Sequence, residues 1–584
     1  MFEPSDRLVR RLYWVCTGVV GVWLAWAATW VNIDFDDGYS TIANAQYFLG
    51  TTSDYFWQRG PFLALVLVPA EWLSGWLGLH PFDVRLHHGS MALLHLIYLV
   101  GVGRLLFQHF GARPQTLVAL LAALLTPVFF SYAPFISHDL FPGLLTLAMV
   151  KLAHDFMVNG GHARWYGLVL TGAILALIKQ TYALVWVAVL ISQVVLPSTE
   201  ARNARIPAAG RVGWLAMAAI ASGAITWLGY ALVLGESLAA TPFWWRPIEA
   251  ARLISTHYDS DGGTGAIFYP WIYLRNLWAY GILAATLVIP GSLLSLRSGD
   301  RMQRSVAIVW ILLLAVMLLT PFKEVRYLGF LAPLTAWLLV PALQSLSRLG
   351  RVARWLPLLL LIDLANVWPE ATRLQDTYYR DAVIGFLDPL PAAHGFTGQI
   401  IAERPLSFVS PEADAWYGDR YHRITHVNLD QIRLLYGYSD AQWRTVAYSS
   451  DLTQSDIQAG DYLLLATDIA VRKAPFRPGN VTGLGAAFLM SVARAEPLQL
   501  ALQGERYRAA SDGTFLLVRE RGVEAMPVIA SKHMPVAAIN RLYAGGELPA
   551  SGRIVAFRLL TVCQQSGCAD LRTAPQGLDP RGER

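Results

Sequence analysis

Residues 31–70 read VNIDFDDGYSTIANAQYFLGTTSDYFWQRGPFLALVLVPA and directly follow the first long apolar segment of the chain. They begin with an acidic cluster formed by Asp34, Asp36 and Asp37. The run 40–50 can form an amphipathic helix that a glycine ends, and Pro61 suits the first turn of a second, apolar helix. We therefore expect carboxylates and the cation Arg59 on two short helices at a membrane surface.

The composition indicates a protein that crosses a membrane several times. The chain of 584 residues is 55% apolar and only 15% charged, and it contains 21 tryptophans, which collect at membrane interfaces. The formal net charge of +5 is small for this length, and no basic stripe interleaved with aromatic residues occurs. Nucleic-acid binding is therefore not expected.

The cysteines do not predict a metal site. There are three, too few for a disulfide framework, and Cys16 lies inside the first apolar segment, where packing explains it. Cys563 and Cys568 are expected to form a disulfide if the C-terminus lies in an oxidising compartment. Their spacing matches no common zinc pattern.

About eleven segments are long and apolar enough to be membrane-spanning helices, for which about 20 residues are needed. They are 12–31, 87–107, 115–133, 140–157, 164–178, 180–197, 213–234, 277–296, 305–320, 327–346 and 354–369. Residues 25–27, Ala-Trp-Ala, match a signal-peptidase site, but the first apolar run is longer than a usual signal core. We expect a retained span.

The loop charges predict the orientation of these helices. With a cytoplasmic N-terminus, roughly twice as many arginines and lysines fall in inner loops as in outer loops, which agrees with the positive-inside rule. The loops 32–86 and 235–276 would then face outward, and an odd number of spans would send the C-terminus outward too. The expected location is the inner membrane of a bacterium, with the larger loops in the periplasm.

A second domain is predicted at 370–575, where the hydropathy falls. Short strand-like runs at 399–402, 462–466 and 514–518 alternate with helix-like stretches at 429–435 and 496–504. The expected fold is a polytopic α-helical membrane domain over 1–369 followed by a soluble periplasmic α/β domain. The polar tail 576–584 is predicted to be disordered.

Carboxylates occur in the first two outer loops. Asp36 and Asp37 either serve the chemistry of the protein or are solvated loop residues, one of them capping the helix near Ser40. Asp139 lies where two spans meet the outer surface, and it could cap the helix that begins near Phe141. A charge near a membrane is costly and needs a reason, so we consider all three as candidates.

Cations occur on the same predicted side. Lys323 and Arg326 lie three apart in a short outer turn, so they share a helix face, and Lys179 ends another span. Together with Arg59 they suit a phosphate, which arginine can bind with two parallel hydrogen bonds. The alternative is that their side chains reach to lipid headgroups.

Carboxylates and cations on one side of the membrane are the combination needed to transfer a group from a phosphate leaving group to a hydroxyl. A carboxylate takes the proton of the acceptor hydroxyl, and cations stabilise the charge that develops on the phosphate. The cations can offset that charge, so no cofactor is predicted and a divalent metal ion is not required.

The chain resembles the GT-C glycosyltransferases, in particular bacterial relatives of protein O-mannosyltransferases and of the lipid A aminoarabinose transferase. The resemblance covers roughly residues 10–370 and rests on the order Asp36-Asp37-Gly38-Tyr39, Arg59-Gly60-Pro61, Asp139, Lys179 and Lys323-Glu324-Val325-Arg326-Tyr327-Leu328. It implies a sugar donor linked to polyprenyl phosphate and an inverting transfer on the outer membrane face, by a hexosyl- or pentosyltransferase.

The resemblance also implies roles for single residues. Asp37 or Asp36 would be the general base, and Asp139 would position acceptor or donor. The donor phosphate would be held by four cations, namely Arg59, Lys179, Lys323 and Arg326. Many relatives have Asp-Glu in place of Asp36-Asp37 and a lysine in place of Arg59, which leaves the choice of base open.

The outer loop 235–276 contains further candidate substrate contacts. Trp244 and Trp245 could stack on a sugar or rest at the membrane interface. His257 and Asp259 could contact substrate or bind a divalent cation, but no third clear ligand accompanies them.

Two other functions are compatible with parts of the sequence. A transporter or flippase of lipid-linked sugars would also be polytopic, but it would be expected to show an internal repeat and ionisable residues at mid-span depth. A non-catalytic subunit of envelope assembly would depend on the region after residue 369. The acceptor (glycan, lipid or protein) and the identity of the sugar stay open.

Overall fold

The computed structural model of the chain describes the segments 5–30, 36–52, 59–80, 83–196, 208–234, 280–319, 327–348 and 359–365, the single residues 34, 55 and 367, and strands between residues 400 and 561. The described residues of the N-terminal two thirds are mainly helical. The helices are α1 (Asp6–Trp30), α2 (Asp36–Phe48), α3 (Pro61–Trp76), α4 (Arg85–Phe110), α5 (Pro114–Leu124), α6 (Pro127–Tyr132), α7 (Phe141–Asn159), α8 (His162–Ile178), α9 (Leu184–Val195), α10 (Ala208–Leu234), α11 (Ile282–Arg297), α12 (Arg301–Leu319) and α13 (Tyr327–Ser347).

Within the described residues, six helices are long and apolar enough to cross a membrane, namely α1, α4, α7, α10, α12 and α13. The helices α3, α5, α8, α9 and α11 are apolar but shorter. Large apolar side chains point outward from the bundle, among them Val22 and Leu232, which are 73% and 75% exposed. An exposed apolar surface of this extent is typical of contact with lipid. The prediction of a multi-pass membrane protein is confirmed, and the count of eleven spans stays a prediction.

Helix α13 is the most deeply buried of these six helices. It packs against α5, α7, α11 and α12. Two glycines allow close approach: a Cβ on Gly143 of α7 would lie 2.6 Å from the carbonyl oxygen of Phe330, and one on Gly291 of α11 would lie 2.1 Å from that of Leu338. Backbone contact without side chains between them is a common way for membrane helices to pack.

The prediction of one continuous span at 115–133 is wrong. The structure divides this range into two helices, α5 and α6. Pro127 has no N–H group to continue the hydrogen bonds of α5, and it opens α6 in its first turn. Thr126 caps the new helix, since its side-chain oxygen accepts a hydrogen bond from the N–H of Phe129.

The two short helices expected after the first span are present. Helix α2 begins at Asp36, four residues earlier than Ser40, and Gly50 follows its end with a φ of 73°. Helix α3 has Pro61 in its first turn, as predicted. The short turn expected between the fifth and sixth segments is Lys179 with a 3₁₀ helix, Gln180–Ala183, which leads into α9.

Hydrogen bonds identify the two ends of the bundle. At one end His109 of α4 pairs with Asp300 at a distance of 2.7 Å, and Arg301 of α12 donates to the backbone oxygen of Gln193. Burial raises the pKa of Asp300, but the hydrogen bond and charge of His109 and nearby backbone N–H groups together hold it below its usual value. Of the residues predicted to carry chemistry, those that the structure describes lie at the other end, which we call the loop end: Asp36, Asp37, Arg59, Asp139 and Lys179.

The C-terminal region forms strands. Those expected at 399–402, 462–466 and 514–518 are confirmed as β1 (Ile400–Glu403), β3 (Tyr462–Leu465) and β8 (Phe515–Arg519). The prediction of a helix at 496–504 is wrong. This stretch contains β6 (Gln499–Leu502), which pairs with the next strand in an antiparallel ladder. The stretch 429–435 lies outside the described residues.

The remaining strands are β2 (Trp443–Val446), β4 (Val471–Lys473), β5 (Met490–Val492), β7 (Glu505–Ala509), β9 (Gly522–Met526), β10 (Val528–Pro535) and β11 (Arg553–Thr561). A mixed sheet has the order β10-β11-β3-β1-β2, with β1 parallel to both β2 and β3 and with β11 antiparallel to β3. The strands β6 to β9 form an antiparallel meander, and β4 pairs with β5. The boundaries of the predicted domain, 370–575, stay a prediction.

Gly291→Ala should lower the thermal stability of the detergent-solubilised protein. The added methyl group would displace the backbone of α13 at Leu338, and overpacking of this kind costs about 1–3 kcal/mol. Gly223→Ala is the matched control, because a Cβ at this helical position meets nothing within 4 Å. Equal unfolding temperatures for the two variants would contradict the packing described above.

Candidate functional site

Asp34 joins three elements at the loop end. Its Oδ2 accepts a hydrogen bond of 2.7 Å from Nε2 of His88 in the first turn of α4 and one of 2.9 Å from the backbone N–H of Ile136. The side chains of Asp34 and His88 are fully buried. The backbone N–H of Asp34 also donates to the hydroxyl oxygen of Tyr39 in α2, at 3.1 Å. A buried carboxylate requires such donors, so the contacts hold Asp34 against α4, the backbone of Ile136 and the first turn of α2.

Asp36 and Asp37 form the first two positions of α2. Gly38 follows them, and a Cβ there would lie 2.2 Å from Oδ1 of Asp34, so the helix turns closely around that carboxylate. Five residues after Asp36, Thr41 of α2 forms a hydrogen bond of 3.1 Å with Nε2 of His138. The first turn of α2 is therefore held on both sides.

The connection 133–140 between α6 and α7, which we call the second loop, receives both of these bonds. It contains Ile136, which contacts Asp34, and His138, which contacts Thr41. It also contains Asp139, which is only 2% exposed. The acidic start of α2 and the second-loop carboxylate are thus attached to the same short piece of backbone.

Asp139 does not cap α7. The residue before that helix is Leu140, and no side chain caps it. Instead, Oδ1 of Asp139 accepts a hydrogen bond of 2.7 Å from the hydroxyl of Tyr182, and Nζ of Lys179 lies 3.9 Å from the same oxygen. The capping interpretation is wrong because these neighbours draw the carboxylate away from the helix axis and toward the start of α9.

Lys179 lies immediately after α8 in an extended conformation. Its Nζ is 4.5 Å from the centroid of the Tyr327 ring and 3.4 Å from the hydroxyl oxygen of that residue. The side chain is 17% exposed. An ammonium group held between a carboxylate and an aromatic face is positioned rather than freely rotating.

Backbone contacts of the next residue, Gly60, hold Arg59 at the loop end. The backbone N–H of Gly60 donates to the carbonyl oxygen of Ile178, at 3.3 Å, and a Cβ on Gly60 would lie 1.8 Å from the carbonyl oxygen of Leu177. No residue but glycine fits here. The start of α3, with the half-buried Arg59, therefore abuts the end of α8 next to Lys179.

An aromatic cluster contacts Arg59 through the hydroxyl of Tyr55. The rings of Tyr47 and Tyr55 lie 5.4 Å apart, and the hydroxyl of Tyr55 donates to the carbonyl oxygen of Arg59 at 3.0 Å. Burial, followed by the neighbouring hydroxyls of Tyr230 and Tyr47, raises the pKa of Tyr55 well above its usual value. Tyr55 therefore stays a neutral hydrogen-bond donor at every physiological pH.

The structure thus brings together Asp139, Lys179 and the segments that carry Asp36, Asp37 and Arg59. The other candidates lie outside the described residues: Trp244, Trp245, His257, Asp259, Lys323 and Arg326. The same holds for Cys563 and Cys568. Of the part of the chain that the structure describes, no group of three or more His, Cys, Asp or Glu residues is arranged to hold a metal ion.

Sequence reasoning missed His88, His138 and Tyr182. Each had a weak signal: His88 is an ionisable residue at the start of an apolar run, and His138 directly precedes Asp139. Tyr182 follows Lys179 by three residues in a short turn, which brings the two to the same side. Only the structure shows that His88 and Tyr182 bind the carboxylates of Asp34 and Asp139, and that His138 bonds to Thr41 of α2.

Tyr182→Phe should destabilise the protein by about 1–3 kcal/mol, because it removes a hydrogen bond donated to the buried carboxylate of Asp139. The matched control is Tyr166→Phe, on the outward face of α8, where 63% of the residue is exposed and the change should cost less than about 0.5 kcal/mol. Thermal unfolding in detergent measures both. A control variant as unstable as Tyr182→Phe would contradict the assignment.

No protein-family model matches the sequence, and no similar curated protein is found. Solved structures do match. ArnT from Cupriavidus metallidurans in the apo state has a TM-score of 0.49 at 14% identity, over 78% of this chain and 93% of that chain. ArnT bound to undecaprenyl phosphate has a TM-score of 0.45 at 15% identity, over 72% and 75%.

The oligosaccharyltransferase from Archaeoglobus fulgidus in the apo form matches with a TM-score of 0.47 at 12% identity, over 88% of this chain and 76% of that chain. ArnT and this oligosaccharyltransferase are GT-C fold enzymes, the class that the sequence resembles. At such low identities and TM-scores the matches do not identify the function, which has to be inferred from the residues of this chain.

Proposed function

We propose that the protein is a membrane glycosyltransferase that moves a sugar from a polyprenyl-phosphate-linked donor to an acceptor hydroxyl on the periplasmic face of the inner membrane. The observation that carries this proposal is the convergence of Asp139 and Lys179 with the acidic start of α2 at one end of a helix bundle. Carboxylates and cations held together at a membrane surface can remove a proton from a hydroxyl and stabilise a leaving phosphate.

The general base is assigned to Asp36 or Asp37. Asp34 is unsuited to this role because its carboxylate is fully buried and already accepts bonds from His88 and Ile136. Asp139 is buried against Tyr182. Among these carboxylates, Asp36 and Asp37 therefore remain as candidates for the general base. Contacts with the second loop hold the start of α2, where they lie, in place.

The transfer step forms a bond between the acceptor oxygen and the anomeric carbon of the sugar, with inversion. The bond between that carbon and the phosphate oxygen breaks, and its electron pair stays on the polyprenyl phosphate. The acceptor proton passes to Asp36 or Asp37. Lys179 and Arg59, joined by Lys323 and Arg326 from the 320–326 region, offset the charge on the phosphate.

Asp139 has a positioning role in this proposal. It lies 3.9 Å from the ammonium group of Lys179, while Tyr182 donates to the same carboxylate oxygen. The pair keeps the lysine near the end of α8, next to the backbone of Gly60 and so near Arg59. Two cations from different helices can then approach a single phosphate.

Replacement of the base should strongly reduce turnover. Of Asp36→Asn and Asp37→Asn, one should reduce kcat about 10²- to 10⁴-fold, the usual contribution of a general base. The measurement is release of polyprenyl phosphate from labelled polyprenyl-phosphate sugars by purified protein, with a panel of glycan, lipid and peptide acceptors. Unchanged release in both variants, or no release by the wild type with any donor, would overturn the proposal and favour a transporter or an assembly subunit.

Lys179→Ala should reduce kcat/KM for the donor by about 10²- to 10³-fold, because one cation is removed from the developing phosphate charge. Lys179→Arg should retain part of the activity. Lys151→Ala is the matched control: Lys151 is also a partly buried lysine with a carboxylate partner, Asp155, at 2.7 Å, but it lies on α7 away from the loop end. Equal losses in Lys179→Ala and Lys151→Ala would exclude a specific role for Lys179.

A further inference from the structure

We infer that Asp34 and His88 form a positioning pair, which holds the base-bearing first turn of α2 against the second loop. This inference rests on the proposed function, because it concerns the placement of that base. Neither residue would touch the substrate. The pair would act through the backbone on both sides of Asp36 and Asp37.

The burial of the pair gives the first argument. The side chains of Asp34 and His88 have no exposed surface, and Nε2 of His88 lies 2.7 Å from Oδ2 of Asp34. Removal of a carboxylate from water is costly, and a pair of apolar residues would fill the same volume at lower cost. A buried ionisable pair at this place therefore calls for a role beyond packing.

The connectivity of the pair gives the second argument. Oδ2 of Asp34 accepts from the backbone N–H of Ile136 as well as from His88. One oxygen atom thus joins α4, the second loop and the chain leading into α2. His88 is rigid in this role because it lies in the first turn of a long helix.

The position of the pair relative to the base gives the third argument. Asp34 lies two residues before Asp36, and Thr41, which bonds to His138, lies four residues after Asp37. The first turn of α2 is thus fixed to the second loop at both ends. Gly38 completes the arrangement, because a side chain there would collide with Asp34.

The neighbouring residue His87 offers a control of the same kind. It is equally buried on α4, and its Nε2 lies 2.7 Å from Oε2 of Glu71 in α3. The other Glu71 oxygen accepts a hydrogen bond from Gln46, at the far end of α2. His87 thus holds helices together as His88 does, but its bonds do not reach the second loop.

The test compares His88→Leu, His88→Gln and His87→Leu in the full-length protein. His88→Leu should lower kcat about 10- to 100-fold with the donor KM within about twofold of wild type, since a misplaced base slows the chemistry without altering the phosphate site. His88→Gln should restore kcat to within about threefold, because its side-chain amide can donate from the position of Nε2. His87→Leu should keep kcat within about threefold.

Stability is measured on the same samples by thermal unfolding, because His88→Leu removes a partner from the fully buried carboxylate of Asp34 and His87→Leu removes one from the partly buried carboxylate of Glu71. Hydrogen exchange then separates the two variants. His88→Leu should speed exchange in α2 and in the second loop, whereas His87→Leu should speed it in α3. This readout holds even if a variant is too unstable for kinetics.

The outcomes distinguish the inference from the proposed function. If wild type turns over, Asp36→Asn or Asp37→Asn is inactive, and His88→Leu keeps its kcat, the base is confirmed and the positioning pair is overturned. Equal loss of kcat in His88→Leu and His87→Leu also overturns it, since the effect is then general destabilisation. If wild type never releases polyprenyl phosphate, the proposed function itself fails.

Discussion

Burial of carboxylates at the end of an apolar bundle is the constraint on which the loop end depends. Asp34 and Asp139 lie where little water can reach them, so each must find donors in the protein. Those donors come from other elements: His88 of α4, the backbone of Ile136 and Tyr182 next to α9. Meeting the hydrogen-bonding needs of two side chains thus fixes the relative positions of α2, α4, the second loop and the end of α8.

The rest of the bundle provides a rigid support for this end. Helix α13 runs through the middle, and glycines on α7 and α11 bring their backbones against it. Its first residues also belong to the loop end, because Tyr327 lies against Lys179 and the ring of Phe330 stacks on that of Tyr182 with centroids 4.8 Å apart. Packing in the membrane interior and charge placement at its surface are therefore coupled through one helix.

Several features could be predicted because they depend on local chemistry. Pro61 and Gly50 mark the limits of α3 and α2, since proline suits a first helical turn and glycine a helix end. The run 462–466 reads as a strand, and it contains β3 (Tyr462–Leu465). Two predictions were wrong for different reasons. The apolar run 115–133 looked continuous although Pro127 and Thr126 carry a local signal for a new helix start. Asp139 looked like a cap because its bond to Tyr182 depends on a partner 43 residues away, which the neighbouring residues do not record.

By itself, the sequence determined that the protein is a multi-pass membrane protein and that acidic and basic residues gather in its loops, because apolar length and charge type are properties of single segments. The tertiary structure alone decided which of those charges meet. It placed the carboxylate of Asp139 beside Lys179 and that of Asp34 in contact with His88, partners that lie 40 and 54 positions away in the chain, and it showed that both carboxylates are buried. Hydrogen-bond partners of buried groups are set by the packing of whole helices, which no local pattern records.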